Sequence, residues 1–154
     1  MNENKKLIEL FNESKNRSIK WEKYFSIYEK LFNDYKNKGI TFVEIGILDG
    51  GSLEIWKKYF GDRSRIIGID NNPKCKKFQN ENYEIFIGSQ SDPSFWEKFY
   101  NEVGNVDIIL DDGGHKNLQQ ISTVHYSLPY IKNNGLIVVE DMHTSYLKKE
   151  FYTL

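Results

Sequence analysis

The sequence predicts an α/β fold, a doubly wound parallel sheet flanked by helices. Three observations carry that expectation. Short, nearly continuous apolar runs, RIIGID at 65–70, VDIIL at 106–110 and GLIVVE at 135–140, have the pattern of strands buried on both faces of a parallel sheet. Helix-like segments separate them, and strands alternating with helices at this spacing close through right-handed crossovers. The first strand candidate runs into a glycine-punctuated turn, the feature of Rossmann-like folds that lets bare backbone N–H groups approach a ligand.

At 154 residues the chain suits one domain. Its 21 basic and 22 acidic residues are interspersed, which removes any electrostatic case for a nucleic-acid or anionic-membrane partner. Cys75 is the sole cysteine, so no internal disulfide forms and a reducing, cytoplasmic setting is expected. The segment MNENKKLIEL lacks the apolar core of a signal peptide, and no run approaches the roughly 18 apolar residues of a membrane span.

In chain order, residues 1–38 form a helical lead-in with apolar positions at helical spacing: Leu7, Ile8, Leu10 and Phe11, then Trp21, Tyr24, Phe25, Tyr28, Leu31, Phe32 and Tyr35. Two helices with a break near Asn16 to Ser18 are expected, the second packing its aromatics on the sheet. Lys20 and Tyr24 remain candidates for covering a ligand. Residues 39–154 hold the sheet. Thr41 to Ile45 is the first strand; it reaches Glu44 and enters a turn marked by Gly46, Gly50 and Gly51 before a helix over Ser52 to Phe60. The spacing is E-x-G-x-x-x-G-G, so the dinucleotide fingerprint G-x-G-x-x-G is absent.

Asp70 ends the second strand about twenty residues beyond that turn, where a cofactor-binding fold carries a carboxylate for ribose hydroxyls. An aspartate at a strand end can also simply cap the next turn, here Asn71 to Pro73, but the glycine turn before it favours the ribose role. Tyr83 to Gly88 is the third strand. The loop Gly88 to Asp92 leads into a helix with Pro93 in its first turn and Asp92 as its cap. After VDIIL come Asp111, Asp112, Gly113, Gly114 and His115, then a helix over Asn117 to Ile131. Leu118, Ile121, Val124, Leu128 and Ile131 form its apolar stripe, and His125 is read as structural. The fifth strand, Gly135 to Glu140, ends in Glu140 and Asp141, with His143 open between a substrate contact and a surface position.

Glu44, Asp70, Asp111, Asp112, Glu140 and Asp141 thus all fall at strand carboxyl ends, where ligands bind at the point of reversed winding. Packing alone explains six such acids poorly, because buried unpaired carboxylates cost free energy. Asp112, Glu140 and Asp141 supply hard oxygen ligands suited to Mg²⁺. His115 supplies an imidazole, the side chain suited to take a proton near neutral pH.

The glycine turn resembles motif I of class I S-adenosylmethionine-dependent methyltransferases. D-D-G-G-H at 111–115 with G-L-I-V-V-E-D-M-H-T-S-Y at 135–146 resembles the metal-dependent sugar O-methyltransferases of macrolide biosynthesis, the mycinamicin and macrocin type. The likeness extends through VEIGILDGGSLEIW, IIGID and GSQSD, and it departs in spelling GG-H for GS-H. It implies the class I methyltransferase fold and S-adenosylmethionine as cofactor. Glu44, Gly46, Gly50, Ser52, Asp70, Gln90, Asp92 and Asp111 would line the cofactor's place, with Gln90 and Asp92 beside the adenine. It further implies Mg²⁺ at Asp112, Glu140 and Asp141, His115 as general base, and a hydroxyl of a sugar, glycan or secondary metabolite as acceptor. The full fold has two more strands after the fifth, so the chain reads as truncated there. Either it is a fragment or a second copy covers the exposed fifth-strand edge, making a homo-oligomer. The alternative reading is a non-catalytic S-adenosylmethionine-binding module or partner subunit.

Overall fold

The computed structural model describes residues 5–146. Its centre is a five-stranded, all-parallel sheet in the order β3-β2-β1-β4-β5, formed by β1 (Thr41–Ile45), β2 (Arg65–Asp70), β3 (Tyr83–Ile87), β4 (Val106–Asp111) and β5 (Ile131–Val139). Winding reverses between β1 and β4. Register aligns the strand ends there: Ile45 lies opposite Ile69 and Asp111, and Asp111 opposite Val139. The acids that follow therefore emerge at one level along the carboxyl edge.

Alternation along the strands divides the interior into two layers. Phe42, Ile66, Ile108 and Leu110 face α1 (Leu7–Asn12), α2 (Glu22–Phe32) and α3 (Gly51–Phe60), where Phe32, Trp56 and Phe60 fill the space. Val43, Ile45, Ile67, Ile69 and Ile109 face α4 (Pro93–Val103), with Trp96, Phe99 and Tyr100 against them. The lead-in helices share the first of these cores, through Leu7, Leu10, Phe25 and Tyr28. None of the described helices is long and apolar enough to cross a membrane.

Three elements differ from the expectation. The chain between α1 and α2 is a nine-residue irregular connection, and Trp21 at its end is 65% exposed rather than part of the core stripe. The fifth helix, α5, runs Asn117–Ser127 and gives way to a 3-10 turn at Leu128–Tyr130, because Pro129 has no N–H to continue the ladder. That shortening lets β5 begin at Ile131, four residues before the predicted start. The rotation of α5 is also reversed. Leu118, Ile121, Val124 and Leu128 are exposed, and Gln120, Ser122, Thr123 and Ser127 face inward. Polar contacts set that rotation: Gln120 donates to the Glu140 carbonyl at 3.0 Å, and Thr123 accepts from Gln90 at 3.1 Å. Among the described residues β5 is an edge strand; the last predicted segment, 147–154, lies outside them.

Candidate cofactor and metal site

A cavity of about 730 Å³ opens over the carboxyl edge at the point of reversed winding. Its walls are the turn after β1, the ends of β2 to β5, and the segment Ser18 to Trp21. Gly46 sits at its floor with φ +84°, donates its N–H to the Ile69 carbonyl at 2.8 Å, and lies so close to the next loop that a Cβ would stand 2.2 Å from the Asp112 carbonyl oxygen. Only glycine meets both conditions. Gly50, also left-handed at φ +73°, serves as the N-cap of α3 and lies behind the cavity wall. Ser52, in the first turn of α3, donates its hydroxyl to the Glu44 carboxylate. Glu44 is fully buried on the cavity wall, and its Oε1 has no hydrogen-bond partner among the described residues.

Asp70 lines the cavity, and its carboxylate is also the anchor of two turns: it accepts from Ile47 N–H at 3.1 Å and from Asn72 N–H at 2.8 Å. Gln90 reaches the cavity too, but its amide is committed to the interior. It donates to Asp111 at 3.0 and 3.1 Å and to Thr123 at 3.1 Å, and accepts from Gly114 N–H at 2.7 Å. Asp111 is correspondingly turned inward and does not line the cavity; it accepts from Gln90 and from Gly113 N–H. Burial pushes its carboxyl up from the ordinary range, against hydrogen bonds from Thr123, Gly113 and Gln90. Asp92 lies outside the cavity on the surface, where it caps α4 by accepting from Ser94 N–H at 2.9 Å and Ser94 Oγ at 3.1 Å. For Asp92 the structure thus shows the capping alternative, and for Asp111 a buttress of the Gly113–Gly114 turn.

On the wall of the same cavity, Asp112, His115 and Asp141 each offer one ligand atom, all within 4.8 Å of one another. Asp141 holds a left-handed backbone, φ +53°, a conformation that aspartate tolerates better than most residues. Its Oδ2 stands 3.6 Å from His115 Nε2, and its Oδ1 accepts from the Tyr24 hydroxyl at 2.9 Å. Thr144 Oγ1 lies 2.8 Å from the His115 carbonyl and 3.0 Å from the Asp141 carbonyl, its single proton shared between them, which ties the two loops together. Glu140 is more deeply set than these three. Its Oε1 accepts from Lys20 Nζ at 2.9 Å and from the Tyr28 hydroxyl. Burial and the neighbouring Asp112 push its carboxyl up to about 7, against the pull of Lys20. His143 is exposed, 3.9 Å from Asp141 Oδ1 at its nearest.

The residue that sequence reasoning underweighted is Lys20. Its side chain is 3% exposed, and Nζ lies 2.6 Å from Asp112 Oδ2, 2.9 Å from Glu140 Oε1 and 3.3 Å from Glu44 Oε1. Burial alone would favour its neutral form; the three carboxylates reverse this and raise its pKa above the ordinary lysine value. Tyr28 and Gln120 were also missed, because each occupies a helical position that reads as packing or as surface.

The sheet order, the glycine turn under a cavity at the winding reversal, and the acids ranked along that edge define the class I methyltransferase fold. No family model matches the chain. Among curated proteins it is similar to an 8-demethyl-8-alpha-L-rhamnosyl tetracenomycin-C 2'-O-methyltransferase of Streptomyces olivaceus, 33% identical over 138 residues that cover 84% of this chain and 36% of the relative. It is likewise similar to the demethylmacrocin O-methyltransferase of Streptomyces fradiae and the mycinamicin VI 2''-O-methyltransferase of Micromonospora griseorubida, each 32% identical over 126 residues, 77% of this chain and 31% of the relative. The chain therefore spans about a third of the length of these curated relatives. A solved structure of the MycE methyltransferase of the mycinamycin pathway, in complex with Mg and SAH, superposes with a TM-score of 0.81 at 30% identity, over 93% of this chain and 41% of that one. Aeropyrum pernix fibrillarin, 21% identical with a TM-score of 0.58, shares the fold.

Proposed function

We propose that this chain forms the cofactor and metal half of an S-adenosylmethionine-dependent O-methyltransferase whose acceptor is a hydroxyl of a sugar on a small molecule or glycan. The observation that carries the reading is the placement of Asp112, His115 and Asp141 within 4.8 Å of one another on the wall of the same cavity that the Gly46 turn and Asp70 line. Support comes from relatives named as sugar O-methyltransferases and from a neighbour crystallised with Mg and SAH.

In this reading the turn from Gly46 to Ser52 and Asp70 would hold the cofactor in the cavity that His115 also lines. The donor set fits Mg²⁺: Asp112 and Asp141, with Glu140 beside them, offer the hard oxygens that ion prefers. When bound, the ion would stabilise the alkoxide that develops at the acceptor. His115 would take the hydroxyl proton as the acceptor oxygen forms its bond to the methyl carbon; the C–S bond breaks and the sulfur leaves as a neutral thioether, so no acid is required. Tyr24 and Thr144 would keep Asp141 and the His115 loop in register for that step.

The test is calorimetric titration with S-adenosylhomocysteine, then methyl transfer to a glycosylated macrolide with Mg²⁺. Binding by the wild type and its loss in Asp70→Ala are expected, with His115→Ala retaining binding and losing transfer. A folded chain with no affinity for S-adenosylhomocysteine refutes the reading. The alternative reading is a cofactor-binding module or partner subunit; binding without transfer to any glycosylated acceptor would select it. A cytoplasmic setting and pairing of copies through the β5 edge belong to the same proposal.

A further inference from the structure

The connection between α1 and α2 sends one long side chain through the cavity wall to meet three carboxylates from three strand ends: Glu44 of β1, Asp112 after β4 and Glu140 after β5. A surface lysine at the cavity rim would be solvated and mobile; this ammonium is enclosed. It also selects among oxygens. It engages Asp112 Oδ2 and Glu140 Oε1, and Tyr28 adds a second donor to the same Oε1. Among the described residues no hydrogen bond is made to the other two oxygens, Asp112 Oδ1 and Glu140 Oε2. Each carboxylate is thus held through one oxygen, and the second is uncommitted.

We infer that Lys20 is the positioning residue of the metal site, fixing which oxygens of Asp112 and Glu140 face a divalent ion. The inference rests on the metal reading above and deepens it. The physical reason is that carboxylates brought this close repel, and without a counter-charge they turn apart or away from the cavity. A ligand held in place by an outer partner binds its metal more tightly, and removing such partners typically costs about 10- to 100-fold in affinity. A bare electrostatic account gives the opposite sign: deleting a positive charge beside the site would strengthen the attraction for a divalent ion. The two accounts therefore separate in one experiment.

Mn²⁺ binding is followed by calorimetry and by electron paramagnetic resonance of free Mn²⁺, on folded wild type, Lys20→Met, Lys20→Arg, Glu140→Gln and the double variant Lys20→Met/Glu140→Gln, all without cofactor. Lys20→Met is expected to weaken Mn²⁺ binding by at least about tenfold. Lys20→Arg, which keeps the cation and its donors, recovers most of that loss, a recovery that mere loss of packing volume would not give. In the Glu140→Gln background the Lys20→Met penalty shrinks, because one of the oxygens it positions is already gone. Should Lys20→Met prove unstable, Lys20→Arg set against Glu140→Gln still decides. An Arg variant as weak as Glu140→Gln, or a Met variant that binds Mn²⁺ as tightly as the wild type or more so, overturns the inference and leaves the metal reading standing. A wild type that takes up no Mn²⁺ overturns the metal reading and this inference with it.

Discussion

Gly46→Ala joins backbone conformation to site geometry in one atom. The residue sits at φ +84°, and an L-alanine there costs roughly 1–2 kcal/mol on conformational grounds. For a chain of this length that lowers Tm by about 2–8 °C. The steric effect matters more for function. The new Cβ would lie 2.2 Å from the Asp112 carbonyl oxygen, whereas real Cβ atoms essentially never approach closer than 3.0 Å, so the two loops must separate by at least 0.8 Å (3.0 less 2.2). The three nearest atoms are backbone atoms of Asp112 and Gly113, with no flexible side chain to swing aside. Asp112 contributes one of three ligand atoms that lie within 4.8 Å of one another, and a displacement of about 1 Å at a reacting centre costs on the order of 100-fold. The expected result is a folded protein with a modest fall in Tm and a loss of Mn²⁺ affinity of at least tenfold, read by differential scanning calorimetry and metal titration. Retention of wild-type affinity for both Mn²⁺ and S-adenosylhomocysteine would refute the claim that this contact sets the site.

Three further outcomes follow from the same geometry. Burial raises the Glu140 carboxyl from the ordinary 4.5 to about 7, so the stability linked to that shift is present below 4.5 and fades as pH rises through about 7; Tm should decline across that window, and Glu140→Gln should flatten the decline. Phe32 is fully buried among Tyr28, Phe42, Trp56 and Phe60, and Phe32→Ala should cost about 3–5 kcal/mol in urea unfolding, with a result below 1 kcal/mol contradicting the packing described. Asp92→Ala should lower Tm slightly and leave S-adenosylhomocysteine affinity unchanged; lost affinity would return Asp92 to the cofactor site.

The strands were legible because burial on both faces writes itself as an apolar run. β2 spans the predicted residues, and β1 does as well. The acids at the strand ends were legible for a related reason: a carboxylate directly after such a run stands at the carboxyl edge in any parallel sheet. Sequence order does not reveal which way a carboxylate turns. Asp111 and Asp112 are adjacent, yet one faces Gln90 in the interior and the other faces Lys20 in the cavity, because successive residues leaving a strand point to opposite sides.

α5 exposes the limit of periodicity more sharply. Its apolar positions recur at helical spacing, and the helix forms, but the stripe faces out. A moment calculation weighs only transfer from water, whereas this helix also answers to fixed hydrogen-bonding groups: the Glu140 carbonyl, which Gln120 satisfies, and the Gln90–Asp111 pair, which Thr123 completes. A buried polar group left unpaired costs about 1–3 kcal/mol, comparable with the gain from burying a leucine, so a few such demands can outweigh an apolar stripe. The same reasoning explains Lys20. Between Ile19 and Trp21 it reads as no more than one candidate for covering a ligand; its burial is caused by three acids that lie 24, 92 and 120 residues further along the chain and become neighbours only when the sheet is assembled. Polar groups that must be satisfied at the carboxyl edge therefore determine the side chains around them, and those groups can be located from sequence before their partners can.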